Sequence, residues 1–132
     1  MSRSLRFQRS WIAIGMALTS AVVALSLIAV GQAVPVAGGD KVSHLLAYGA
    51  LTFWWGMVYP QQRWRWAAVL MLLGVVLELA QALTPYRTLD YQDMLANGTG
   101  IALGLLLLAT PLSGLLARCD QLLSDRFAPR QP

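Results

Sequence analysis

Residues 11–30 (WIAIGMALTSAVVALSLIAV) carry no charged side chain. A helix that is apolar all round must be buried in protein or lie in lipid, and a bilayer core needs about 20 such residues per helix. This one segment therefore constrains the fold more than any other feature. Three further stretches repeat it less purely, and we expect spans over residues 11–31, 42–59, 66–83 and 94–110. The expected fold class is all-α: a polytopic bundle of four transmembrane helices, followed by an amphipathic interfacial helix over residues 111–127. At 132 residues the chain is expected to form one domain, 1–132.

Composition supports a membrane solvent. The chain is 57% hydrophobic and 12% charged, far from the balance of a soluble domain. Its net charge of +4 would suggest nucleic acid in a soluble chain. Here the arginines flank apolar runs, so the expected partner is the lipid bilayer and no nucleic acid. A lone cysteine, Cys119, excludes an internal disulfide and a zinc-ribbon pattern. The first segment admits a second reading. Arg3, Arg6 and Arg9 precede it, and Gly31-Gln32-Ala33 could be a signal-peptide cleavage site. The apolar run is longer than a usual signal core, so a retained helix is expected.

Basic residues set the expected orientation. Arg3, Arg6, Arg9, Arg63, Arg65, Arg118, Arg126 and Arg130 fall on one side, and only Lys41 and Arg87 on the other. Both termini are thus expected in the cytoplasm, with the loops 32–43 and 84–93 facing outward. Trp11, Tyr59, Trp64, Trp66, Tyr86 and Tyr91 lie near span ends, as interfacial anchors do. Thr110 followed by Pro111 reads as an N-cap with proline at the first helical position. Beyond it Leu112, Leu115, Leu116, Cys119, Leu122, Leu123 and Phe127 recur at helical spacing. Arg118, Asp120, Gln121, Ser124 and Asp125 fill the other face, so the helix is expected to lie on the membrane surface. One long helix kinked at Pro111 is the alternative.

With that topology the polar residues gather at one end. Lys41 and His44 stand at the outer end of the second span, and Glu78 and Gln81 at that of the third. Arg87, Asp90, Asp93 and Asn97 occupy the second outer loop and the start of the fourth. His44, Tyr48, Thr52 and Trp55 form one helical stripe; Gly74, Glu78 and Gln81 form another; Asp93, Asn97, Gly100 and Gly104 a third. Polar groups are costly against lipid, so the stripes are expected to face one another. Glu78, about 7 Å inside its span at 1.5 Å per residue, must be paired, wet or protonated.

Structural roles account for part of this pattern. Asp40 suits an N-cap, and Asp90 with Asp93 suits a capping box. Gly100 and Gly104 suit close helix packing, within the chain or in a homo-oligomer. Asn97 suits an interhelical hydrogen bond, His44 a fixed tautomer and Glu78 an internal ion pair. Capping does not explain why Glu78, Gln81, His44 and Arg87 share one face. Lys41, His44, Glu78, Gln81, Arg87, Asp90, Asp93 and Asn97 are therefore the candidate ligand-binding residues. No catalytic residue is assigned, no metal ligand is assigned, and no cofactor is named by the pattern.

Three segments carry a family resemblance: DKVSHLLAYGAL (residues 40–51), ELAQALTPYR (78–87) and LDYQDMLANGTGIALG (89–104). In residues the pattern is Asp40-Lys41 with His44, Glu78 with Gln81, Arg87, Asp90, Asp93, Asn97, Gly100 and Gly104. In this order and spacing the chain resembles the VanZ-like family of small membrane proteins. The resemblance implies a multi-pass protein of the bacterial cytoplasmic membrane with a polar site at its outer face. It also implies a link to glycopeptide (teicoplanin) resistance, the property for which the family is named.

The leading functional expectation is an envelope protein whose outer pocket binds or modulates a lipid-linked cell-wall precursor or a glycopeptide. Lys41 and Arg87 would meet an anionic group, and Glu78, Asp93 and Asn97 would orient it. The alternative is a membrane-surface enzyme acting on a lipid-linked headgroup. There His44 would be general acid or base, and Glu78, Asp90 and Asp93 would hold a hard cation such as Mg²⁺ or Mn²⁺. A proton-coupled carrier with Glu78 titrating is a third reading.

Overall fold

The computed structural model describes residues 5–27, 39–83 and 90–127. Among them the structure is wholly helical: α1 (Gln8–Leu27), α2 (Gly39–Val58), α3 (Arg63–Ala82), α4 (Tyr91–Leu108) and α5 (Leu115–Arg126). Proline ends the runs where the sequence has it. Pro60 opens a 3-10 turn, Pro60–Gln62, that separates α2 from α3. Pro111 opens another, Pro111–Gly114, where the Thr110 hydroxyl accepts the N–H of Leu112 at 3.3 Å. The chain bends by 77° at this break, so α5 is a separate helix and not a continuation of α4. α2 starts at Gly39, which places Asp40 inside its first turn and not before it.

Among the described residues two helices are long and apolar enough to cross a bilayer on their own: α1, and α3 with its preceding turn. The α4–α5 pair reaches that standard only when taken together across its bend. α2 falls below it because Asp40, Lys41, Ser43 and His44 occupy its first turns. Of the four expected spans, two reach this standard helix by helix and a third does so only as the bent pair.

α2 is the centre of the bundle and packs against α1, α3 and α4, most closely against α4. Glycines permit that approach. A Cβ on Gly100 would stand 2.3 Å from the Leu45 carbonyl oxygen, and one on Gly104 would stand 2.7 Å from the Gly49 oxygen. The small-residue face of α4 at Gly100 and Gly104 is thus packed against α2 of the same chain.

Below the glycines lies an aromatic and aliphatic core of Tyr48, Leu51, Trp55, Leu70 and Ile101. Trp55 stacks on Trp66 with centroids 4.1 Å apart and planes 4° apart, and Tyr59 stacks on both. Tyr59 and Trp66 are thus packing residues, whereas Trp64 and Tyr91 are exposed as interfacial anchors would be; Tyr86 lies outside the described residues. Leu46, Leu72, Val76, Leu79 and Leu106 face outward, giving the bundle an apolar exterior.

The short helix α5 departs from its expected role. Leu115 and Leu122 on it, with Leu112 before it and Phe127 after it, are exposed, as an interfacial face requires. Asp120, expected on the solvent face, is instead buried against α1. Its carboxylate accepts the backbone N–H groups of Arg6 and Phe7 at 2.7 and 2.9 Å and the Trp11 indole N–H at 2.8 Å. An acid thus holds donors at the start of a helix, where no intrahelical acceptor is available. Burial raises its pKa, but these three donors and the Arg6 charge outweigh it and hold the carboxyl below the usual range.

Candidate functional site

Three helices deliver polar side chains to one end of the bundle. α2 supplies Lys41 and His44 in its first two turns, α3 supplies Glu78 near its last turn, and α4 supplies Asp93 and Asn97 in its first two. Glu78, Asp93 and Asn97 are 2, 4 and 1% exposed, so three polar groups are withdrawn from the surface together. Burial of this kind is stable only where the groups satisfy one another.

The geometry centres on His44. Its Nδ1 lies 2.9 Å from Asn97 Oδ1. An amide oxygen can only accept, so Nδ1 carries the proton and Nε2 is turned to the other side of the ring. On that side Nε2 stands 3.8 Å from Asp93 Oδ2 and 3.9 Å from Glu78 Oε1. Ligand atoms of His44, Glu78 and Asp93 all lie within 4.8 Å of one another, the spacing of groups that can share a metal ion. Gly74 makes room underneath: a Cβ there would meet Asn97 Nδ2 at 2.9 Å and the Tyr48 hydroxyl at 3.2 Å.

A second layer lies nearer the surface. Lys41 Nζ reaches Asp90 Oδ2 at 3.2 Å and Asp93 Oδ1 at 3.7 Å, and so bridges the rim to the buried carboxylate. Asp90 is the N-cap of α4, accepting the Gln92 N–H at 2.8 Å. That N–H and the Lys41 ammonium hold its carboxyl below the usual range. Lys41 and Asp90 are each about two-fifths exposed, which leaves the layer accessible from outside the bundle.

The structure therefore brings together Lys41, His44, Glu78, Asp90, Asp93 and Asn97. Gln81 goes elsewhere in part: its amide donates to the Ser26 carbonyl at 2.5 Å and ties α3 to the end of α1. Arg87 lies outside the described residues, as does the side chain of Asp40. The grouping of carboxylates also differs from the hard-cation alternative. Asp90 is a rim residue engaged in capping, and His44 takes its place beside Glu78 and Asp93. Sequence reading missed Asp120 and its donor Trp11 at the opposite end. The available signal was the spacing of Leu116, Asp120 and Leu123, which puts the acid on the apolar stripe.

A cavity of about 540 Å³ lies away from this cluster. It lies at the other end of α2, lined by Gln8, Met57, Tyr59, Gln62, Arg63 and Ser113 among others. The convergent titratable groups, and not the volume, mark the candidate site.

Fold and site together define a helical membrane protein with a histidine–carboxylate cluster enclosed at one end of its bundle. The VanZ/LLP1 family profile matches residues 3–114, and the chain belongs to that family. No curated protein and no solved structure matches it.

Proposed function

We propose that this chain is a multi-pass protein of the bacterial cytoplasmic membrane whose outward polar cluster binds or modulates a cell-envelope ligand. The ligand class is the polar headgroup of a lipid-linked wall precursor, or a glycopeptide that recognises one. In this reading α1 to α4 all span the bilayer and both termini are cytoplasmic. Arg6, Arg9, Arg63, Arg65, Arg118 and Arg126 would then lie inside, in keeping with the bias of basic residues toward the cytoplasm. The contact of Asp120 with the start of α1 supports a common side for α5 and the first helix.

The observation that carries the reading is the withdrawal of Glu78, Asp93 and Asn97 into the bundle beside a half-buried His44, beneath an accessible Lys41–Asp90 rim. Ionisable groups at such depth are costly, and in membrane proteins they mark functional sites by default. Lys41 would meet an anionic group of the ligand, with Arg87 as its expected second cation. The test is teicoplanin susceptibility of a Gram-positive host expressing wild type, Glu78→Gln or Asp93→Asn, with membrane abundance measured in parallel. Protection by wild type and its loss in equally abundant variants is the expected result. Equal protection by all three would remove the cluster from the function, and no protection by wild type would remove the glycopeptide link.

One observation favours a second reading, a membrane-surface enzyme. The Asn97 contact fixes the His44 tautomer, and a histidine with one fixed nitrogen beside carboxylates is equipped as a general acid or base. His44→Ala would then abolish turnover of a lipid-linked substrate in a protein that still folds; retained turnover would sink this reading.

A further inference from the structure

We propose that His44, Glu78 and Asp93 form a binding site for one divalent first-row transition ion, of the Mn²⁺ or Zn²⁺ class. No local spacing announces such a site, because the three ligands come from α2, α3 and α4 and meet only in the folded bundle. The proposal stands on this geometry and goes beyond the envelope-ligand reading.

Two features point to an ion. The first is distance. His44 Nε2 stands 3.8 and 3.9 Å from the Asp93 and Glu78 oxygens, beyond the 2.7–3.2 Å range of a direct hydrogen bond. Two ligands each about 2.0–2.2 Å from one ion stand roughly 3.3–3.8 Å apart at tetrahedral to trigonal angles. The observed spacings stand at and just above the upper end of that interval, and all three ligand atoms lie within 4.8 Å of one another.

The second is orientation. A metal-bound histidine presents one nitrogen to the ion and donates from the other to a fixed acceptor. Asn97, 1% exposed, supplies that acceptor at 2.9 Å and leaves Nε2 facing the carboxylates. Gly74 gives the Asn97 amide its space.

The donor set decides the class. One imidazole nitrogen and two carboxylate oxygens exceed what Mg²⁺ usually takes from protein, while imidazole suits first-row ions and carboxylate suits Mn²⁺. Three protein ligands also leave coordination positions open, the arrangement of sites that bind a further group. An ion held here would offer those positions to oxygen atoms of a ligand entering past Lys41 and Asp90.

The experiment uses the full chain in detergent micelles, stripped with a chelator and titrated with Mn²⁺. Free ion is followed by electron paramagnetic resonance, with Zn²⁺ as competitor. One Mn²⁺ per chain is expected, displaced by Zn²⁺, with a pulsed-resonance nitrogen coupling from the imidazole. His44→Gln should lose that coupling, and Asp93→Asn and Asn97→Leu should bind about 10- to 100-fold more weakly. Asp125→Asn, on α5, should bind as wild type does. Absence of a stoichiometric ion or of the nitrogen coupling in folded wild type overturns the proposal, whether or not any variant folds. Undiminished binding in folded His44→Gln and Asp93→Asn also overturns it. These readouts need no envelope ligand: an ion bound without teicoplanin protection removes only the glycopeptide link, and protection without an ion removes only the metal site.

Discussion

At the residue scale, the buried carboxylates among the described residues fall into two kinds. Glu78 and Asp93 meet His44 from two other helices, whereas Asp120 at the opposite end takes its three donors from the start of α1. Asp120→Asn keeps the shape but removes the charge and turns an amide N–H toward donors. The expected loss is about 1–3 kcal/mol, read as a lower thermal midpoint in micelles. Its pH dependence has a definite sign. The folded carboxyl is held below its ordinary pKa, so the stability it contributes is present above that value and lost as pH falls through the lower folded value. The gap between wild type and Asp120→Asn should be full at neutral pH and close only below the ordinary carboxylate range. A gap that closed near pH 7 would contradict this account.

At the element scale, the α2–α4 contact sets the position of the site, since it places His44 beside Asn97. Close packing of small residues drives helix association in lipid, where the hydrophobic effect between helices is absent. Gly100→Ala would drive a Cβ into the Leu45 carbonyl and should cost about 1–3 kcal/mol while separating His44 from Asn97. Gly98→Ala is the matched comparison two residues away. A Cβ there meets only Met71 Cε, at 4.0 Å, so the better helix propensity should stabilise by about 0.5–1 kcal/mol. Thermal unfolding of both variants checks the pair; equal effects would mean that the close approach does not matter.

At the scale of the whole molecule, the bundle has two unlike ends. One holds the acidic and histidine cluster, and the other holds Arg63, the Pro60–Gln62 turn and the contact between α5 and the start of α1. In a Cys119→Ser background, Tyr91→Cys should react with an impermeant maleimide added to intact cells. Gln61→Cys should react only after the membrane is opened. Both side chains replaced are exposed, so access reports sidedness and not burial. Reaction of both from one side would overturn the proposed topology.

Local pattern in the sequence determines a good deal here: helices over the apolar runs, breaks at Pro60 and Pro111, capping by Thr110 and Asp90, and the family to which residues 3–114 belong. Each depends on residues within a few positions of one another, where propensity and capping act. Periodicity also set Tyr48, Thr52 and Trp55 on one stripe of α2, and all three are buried. It could not say what fills the space opposite a stripe. That Gly100 meets Leu45, that Gln81 reaches Ser26, that Asp120 binds the start of α1, and that His44 stands between Asn97, Glu78 and Asp93 are tertiary facts. Each joins residues far apart in the chain, and the choice among partners rests on packing volume and on satisfying buried polar groups, which only the assembled bundle evaluates.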